Sequence, residues 1–207
     1  MTFEEIKNII ENGLITFETS KNHSDGRINS IEDEDSIVEY IKGLFPSENI
    51  IEAPPRFWYD ICLKFDNNIF PINIKSTTGT KADNISSKEG LYYALTGRDP
   101  KEDKVNNFEP FNNKITKYYN PTCKEDYYLC IFLKEKRKFF FSSLKRIPVV
   151  VPNGSNLPFQ CKWNQENLKY SERNLEEQGE YLMEAYISSF IKRAHGLDIL
   201  LEWREKQ

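Results

Sequence analysis

The chain has 207 residues, 39% of them hydrophobic and 14% aromatic, and a formal net charge of -4. Such a composition excludes a disordered chain, and the acidic balance excludes a protein that coats nucleic acid by bulk charge. It leaves room for an acidic site whose ligands a bound cation neutralises, with local basic groups on phosphate.

The opening residues Met1-Thr2-Phe3-Glu4-Glu5 lack the basic and apolar regions of a secretory signal, and no apolar run reaches the length of a membrane span. The reading is a cytoplasmic chain with no membrane partner. Cys62, Cys123, Cys130 and Cys161 are widely spaced, which reads as reduced thiols rather than zinc ligands. His23 and His195 are the only histidines, too few for a histidine metal site or a Ser-His-Asp triad.

In chain order, residues 2–12 read as a helix. Thr2 stands three residues before Glu5, and Phe3, Ile6, Ile9 and Ile10 share one face. Residues 20–30 read as a polar loop and 33–45 as a second helix that stops before Pro46. Residues 50–53, 57–65 and 69–76 read as strands, the last two forming a hairpin across Asp66-Asn67-Asn68. A polar loop over 77–87 leads to a short helix, 87–95, ended by Gly97. Residues 99–121 read as loop with one short helix near 113–119. Strands follow at 127–133, 137–142 and 147–151. The segment 152–171 is irregular, with a strand at 159–163. Residues 172–202 are helical with a break at Gly196. The predicted fold is one α/β domain over 1–207, a mixed central sheet flanked by helices. Its core spans about 33–151, and 152–207 serves DNA contact or dimerisation.

The chemistry concentrates in Trp58-Tyr59-Asp60-Ile61 and Pro71-Ile72-Asn73-Ile74-Lys75-Ser76. A hairpin sets an acid on one strand beside an ammonium on the next, and alternation turns Asn73 and Lys75 to the same side. Carboxylates hold hard cations, and a nearby ammonium orients a hydroxide and stabilises developing negative charge. The same residues also admit a plainer reading: Asp60 as a strand-end acid, Lys75 solvated, and Asn73 bonded to the turn.

Asp60, a gap of twelve residues, then Asn73-Ile74-Lys75 resembles the motif of type II restriction endonucleases of the PD-(D/E)xK superfamily. The resemblance covers about residues 33–97. It implies a restriction-endonuclease-like core in which Asp60 ligates Mg²⁺ (Mn²⁺ as substitute), the Ile74 carbonyl is a further ligand, and Lys75 engages the attacking water. This sequence departs at Tyr59, where proline is usual, and at Asn73, where an acid is expected. Asn73 then supports the site, and a helix acid supplies the missing carboxylate. Glu39, beside the apolar stripe of residues 33–45, is the candidate ahead of Glu32 and Glu34. The resemblance further implies double-stranded DNA as partner, a short palindromic site and a homodimer. A repair nickase, a junction resolvase, or a DNA-binding protein with a degenerate site are the alternatives.

Two polar segments are candidates to touch DNA. Residues 76–88 carry Ser76, Thr77, Thr78, Lys81, Asn84, Ser86, Ser87 and Lys88, as phosphate or base contacts or as a helix cap. Residues 153–164 carry Asn153, Asn156, Gln160, Lys162 and Asn164, residue types that pair with adenine and guanine edges or simply line a surface loop. The apolar positions of 172–194, among them Leu182, Tyr186, Ile187 and Ile191, serve packing or a dimer interface.

Overall fold

A computed structural model of the protein describes residues 1–19, 26–85 and 87–206. In chain order the elements are α1 (Phe3–Asn12), α2 (Gly26–Leu44), β1 (Ile50–Glu52), β2 (Ile61–Phe65), β3 (Asn68–Thr77), β4 (Ala82–Asn84), α3 (Lys88–Thr96), α4 (Phe108–Tyr118), β5 (Tyr128–Leu133), β6 (Lys138–Ser143), β7 (Gln160–Lys162) and α5 (Leu175–Glu205). The chain divides into two compact units. One is 1–81 with 126–144, and the other is 82–125 with 145–207.

The first unit is a mixed α/β assembly on a five-stranded sheet ordered β1-β2-β3-β5-β6. β3 and β5 run parallel and every other pair is antiparallel. β2 and β3 join through a two-residue turn, with Phe65 opposite Asn68. Asp66 takes the left-handed conformation (φ 53), which the short polar side chain of Asp tolerates better than most. Alternation puts Ile61, Leu63, Phe65, Phe70, Ile72 and Ile74 on one face, where Ile6, Ile10, Ile37, Tyr40 and Ile41 of α1 and α2 cover them. The predicted capping box of α1 is present: Glu5 N–H donates to Thr2 Oγ1 and Thr2 N–H to Glu5 Oε2. α2 begins at Gly26, seven residues before the expected start, so residues 26–30 are helix. The rest of the expected loop, 20–25 with His23, lies outside the described residues.

The second unit holds α3, α4, α5 and the two-stranded sheet β4-β7. The loop expected at 77–87 contains β4, and its partner β7 falls inside the strand expected at 159–163. The strand expected at 147–151 is absent apart from one bridge, Val151 to Gln160. Pro148 has no N–H, Val149 N–H donates to Asn167 Oδ1 (2.9 Å), and Val150 N–H donates to Tyr181 Oη (2.8 Å). The donors a ladder needs are spent on side chains. α4 starts at Phe108, not near 113, and α5 runs unbroken through Gly196, since one glycine weakens a helix without ending it. No helix among the described residues is long and apolar enough to cross a membrane.

Candidate active site at the open edge of β3

β2 stops one residue short of the site. Ile61 pairs with Ile72, and Asp60, just before the strand, donates its N–H to the Ile72 carbonyl (2.9 Å). Past Ile72 the β2 side of β3 has no strand neighbour among the described residues, while the other side continues along β5 to Thr77. An exposed edge leaves main-chain groups to be satisfied by something else. Here carboxylates take them. Ile74 N–H donates to Asp60 Oδ2 (2.6 Å), and the Ser76 N–H faces the Glu34 carboxylate and favours its charged form.

Two anchors fix Asp60. Its own N–H is held by Ile72, and two residues back the buried Trp58 stacks on Tyr127, whose hydroxyl donates to the Trp58 carbonyl (2.6 Å). Asn73, beside Asp60 across the hairpin, donates from Nδ2 to Asp60 Oδ2 (2.9 Å). That bond fixes the amide orientation, since a carboxylate can only accept. It leaves Asn73 Oδ1 buried with no hydrogen-bond partner among the described residues.

Lys75 Nζ donates to Glu34 Oε1 (3.1 Å) and to the Ile74 carbonyl (2.6 Å). Glu34 reaches the site because the first half of α2 is tied to β3 and to Lys134, the residue after β5. The buried Asp33 accepts from Ser76 Oγ (3.1 Å) and pairs with Lys134 Nζ (2.6 Å). Glu34 follows in the helix and is turned toward Lys75. Glu39 is placed otherwise. Its side chain is 71% exposed and its Oε1 sits 2.9 Å from Lys42 Nζ, which also holds Glu52. The expectation that Glu39 faces the sheet is therefore corrected: five residues separate it from Glu34, and at 100° per residue that carries it away from the strand edge. Glu34 occupies the place expected of Glu39.

Burial raises the Asp60 carboxyl above its ordinary value. Lys75, the Ile74 N–H and Asn73 pull it down, and Asp35 pushes it up. Glu34 is raised by burial too, lowered by Lys75 and raised again by Asp60. Two half-buried acids that repel each other beside one ammonium form a locally negative site. It opens on a cleft of about 260 Å³ whose walls include Ile31, Asp35, Pro54, Pro55, Arg56 and Tyr59. Arg56 is exposed and holds the left-handed conformation (φ 60), uncommon for a long side chain. Sequence reasoning passed over Arg56 and ranked Glu34 below Glu39. The Pro54-Pro55 pair was the available signal for a stiff turn at Arg56.

Asp60, Glu34, Asn73 Oδ1 and the Ile74 carbonyl are all hard oxygen donors, and two carboxylates balance one divalent charge. The orphaned amide oxygen is the kind of atom a cation would satisfy. The set fits Mg²⁺, with waters filling the remaining positions. Among the described residues no three His, Cys, Asp and Glu side chains gather as a metal cluster.

The expected DNA contacts divide. Ser76 and Thr77 are buried. Ser76 is committed to Asp33, and Thr77 Oγ1 accepts from Gly79 N–H (3.0 Å), so neither presents its hydroxyl as expected. Thr78 and Lys81 are exposed. Ser87 caps α3 by accepting from Gly90 N–H (3.2 Å), and Lys88 pairs with Glu89 (3.3 Å). Ser86 lies outside the described residues. The β4-β7 pairing joins residues from both polar segments. Gln160 Nε2 donates to Asn84 Oδ1 (3.0 Å), Asn153 Nδ2 donates to Gln160 Oε1 (2.6 Å), and Asn84 Nδ2 reaches Asn156 Oδ1 (3.4 Å). Lys162 and Asn164 are exposed, and Asn164 Oδ1 accepts from Asn167 N–H (3.2 Å).

No protein-family model matches the chain, and no curated protein does.

Proposed function

We propose that the protein is a Mg²⁺-dependent endonuclease of the PD-(D/E)xK type. It hydrolyses phosphodiester bonds of double-stranded DNA at a short palindromic site, as a type II restriction enzyme does, and works as a homodimer. The observation that carries this reading is the convergence of Asp60, Glu34 and Lys75 on the unpaired edge of β3.

In this reading Asp60, Glu34 and the Ile74 carbonyl hold the metal, with Asn73 Oδ1 as a neutral donor. A bound Mg²⁺ lowers the pKa of water and offsets charge on the phosphoryl oxygens. Lys75, beside Glu34 and the Ile74 carbonyl, would orient the attacking water and face the charge that develops on phosphorus. Arg56 at the cleft mouth suits a phosphate oxygen. Ile74 N–H keeps Asp60 in place throughout. A palindromic site cut on both strands calls for two copies related by a two-fold axis. The alternative is a DNA-binding protein that no longer cuts, and Asn73 in place of an acid is the observation in its favour.

Plasmid DNA incubated with the protein and Mg²⁺ or Mn²⁺ separates these readings. Discrete linear fragments are expected. Open circles alone indicate a nickase, and retained but uncut DNA in both metals indicates the non-catalytic protein.

A further inference from the structure

Four side-chain amides of the second unit form a relay whose orientation is set from the backbone. Asn153 Oδ1 accepts from the N–H groups of Ser155 (2.9 Å) and Asn156 (3.2 Å). A main-chain N–H can only donate, so the oxygen of Asn153 is fixed there and its Nδ2 points the other way. Asn153 Nδ2 donates to Gln160 Oε1 (2.6 Å), Gln160 Nε2 to Asn84 Oδ1 (3.0 Å), and Asn84 Nδ2 to Asn156 Oδ1 (3.4 Å). Every amide oxygen in the chain accepts, and none of the three donating amides can flip without breaking a bond to its neighbour. The loop that carries Asn153 and Asn156 is pinned to α5. Asn153 N–H donates to Ser189 Oγ (2.9 Å), Lys192 Nζ to the Pro152 carbonyl (3.0 Å) and Arg193 Nε to the Gly154 carbonyl (2.7 Å). The two backbones approach so closely that a Cβ on Gly154 would lie 2.7 Å from the main-chain nitrogen of Arg193.

Asn84 is exposed and the other three amides are half-buried, and hydrogen bonds that replace bonds to water contribute little net stability. What the relay does is fix donors in advance, which lowers the entropic cost of binding. Each amide carries two N–H groups. The second N–H of Asn84, Asn153 and Gln160, and both of Asn156, meet no acceptor among the described residues. We propose that this relay is a base-reading surface that recognises guanine through the N7 and O6 acceptors of its major-groove edge. The residue types alone suit adenine equally. Adenine, however, needs the oxygen and the nitrogen of one amide together, and here each oxygen already accepts within the relay while N–H groups remain. Lys192 and Arg193, exposed beside the loop, suit the flanking phosphates. The inference rests on the reading of the protein as one that binds duplex DNA, and it is tested by binding rather than cutting.

Duplexes retained from a random pool by the full chain, with Ca²⁺ in place of Mg²⁺, are sequenced. A guanine at one fixed position is expected, and 7-deazaguanine there should weaken retention about tenfold or more. Asn84→Ala and Asn156→Ala should each lose the preference at that position, keep the others and melt as the wild type does. No retention, a pool without a fixed guanine, a guanine whose N7 is dispensable, or a preference that survives both substitutions would overturn the proposal. Discrete cutting at the same sites by wild type and both variants would leave the nuclease reading standing without it. Guanine-selective retention with no cutting in Mg²⁺ or Mn²⁺ would leave it standing without the nuclease.

Discussion

Exchanging one carboxylate for its amide distinguishes Glu34 from Glu39 among the acids of α2. Glu34 Oε1 lies 3.1 Å from Lys75 Nζ, its carboxylate faces the Ser76 N–H, and Asp60 is near enough to raise its pKa. Glu34→Gln keeps the size and an acceptor but removes the charge. At an effective dielectric of about 20, two unit charges about 4 Å apart interact by about 4 kcal/mol. Loss of that much stabilisation from the transition state corresponds to roughly a thousandfold slower cleavage. Glu39→Gln removes a charge that is largely solvated and paired with Lys42, where surface pairs contribute about 0–1 kcal/mol, so cleavage should change by no more than about fivefold. The assay is the initial rate of supercoiled plasmid loss under saturating Mg²⁺, with each variant's melting curve as the control for folding. Wild-type cutting by Glu34→Gln, or collapse of cutting in Glu39→Gln, would refute the assignment of Glu34.

Lys75→Ala should leave DNA retention in a gel shift with Ca²⁺ within a few-fold of wild type while cleavage falls by orders of magnitude, since the ammonium acts on the reacting centre rather than on the duplex; unchanged cutting would remove Lys75 from the mechanism. Asp60 is raised by burial, so the folded state holds its proton more tightly than the unfolded chain does. The metal-free protein should therefore lose stability as pH rises from about 4, the unfolded carboxyl value, through the raised folded value. Asp60→Asn should flatten that loss and raise the metal-free Tm at neutral pH, and should abolish the Tm gain from Mg²⁺, which is about 2.7 kcal/mol at one hundred times Kd in the wild type; a lowered metal-free Tm in the variant would contradict this. Asp33→Ala removes the partner of a partly solvated Lys134 and leaves the buried Ser76 Oγ without this acceptor, and should cost about 1–3 kcal/mol in urea unfolding; a cost below about 0.5 kcal/mol would show that α2 is not held to β3 through this residue.

Sequence alone determined what depends on local spacing. The period-two pattern of Ile61 to Phe65 and Phe70 to Ile74 specified the hairpin and its inward face, Thr2 and Glu5 specified the start of α1, and Gly97 the end of α3. The register of that hairpin was not legible: the turn expected over Asp66-Asn67-Asn68 is one residue shorter, with Asn68 already in β3, and that difference brings Asp60 beside Asn73. Which acid completes the site was not local. Glu34 and Glu39 lie on one helix with similar neighbours, and only the burial of Asp33 against Ser76 and Lys134 decides the rotation of α2 about its axis. The same holds for β4 and β7, each only three residues long and 76 positions apart in register at Asn84 and Gln160, since strands so short carry too little pattern to announce a partner that distant. Periodicity records which side of an element is apolar. Which residues of separate elements meet there depends on how those sides pack, and that is set by the whole chain at once.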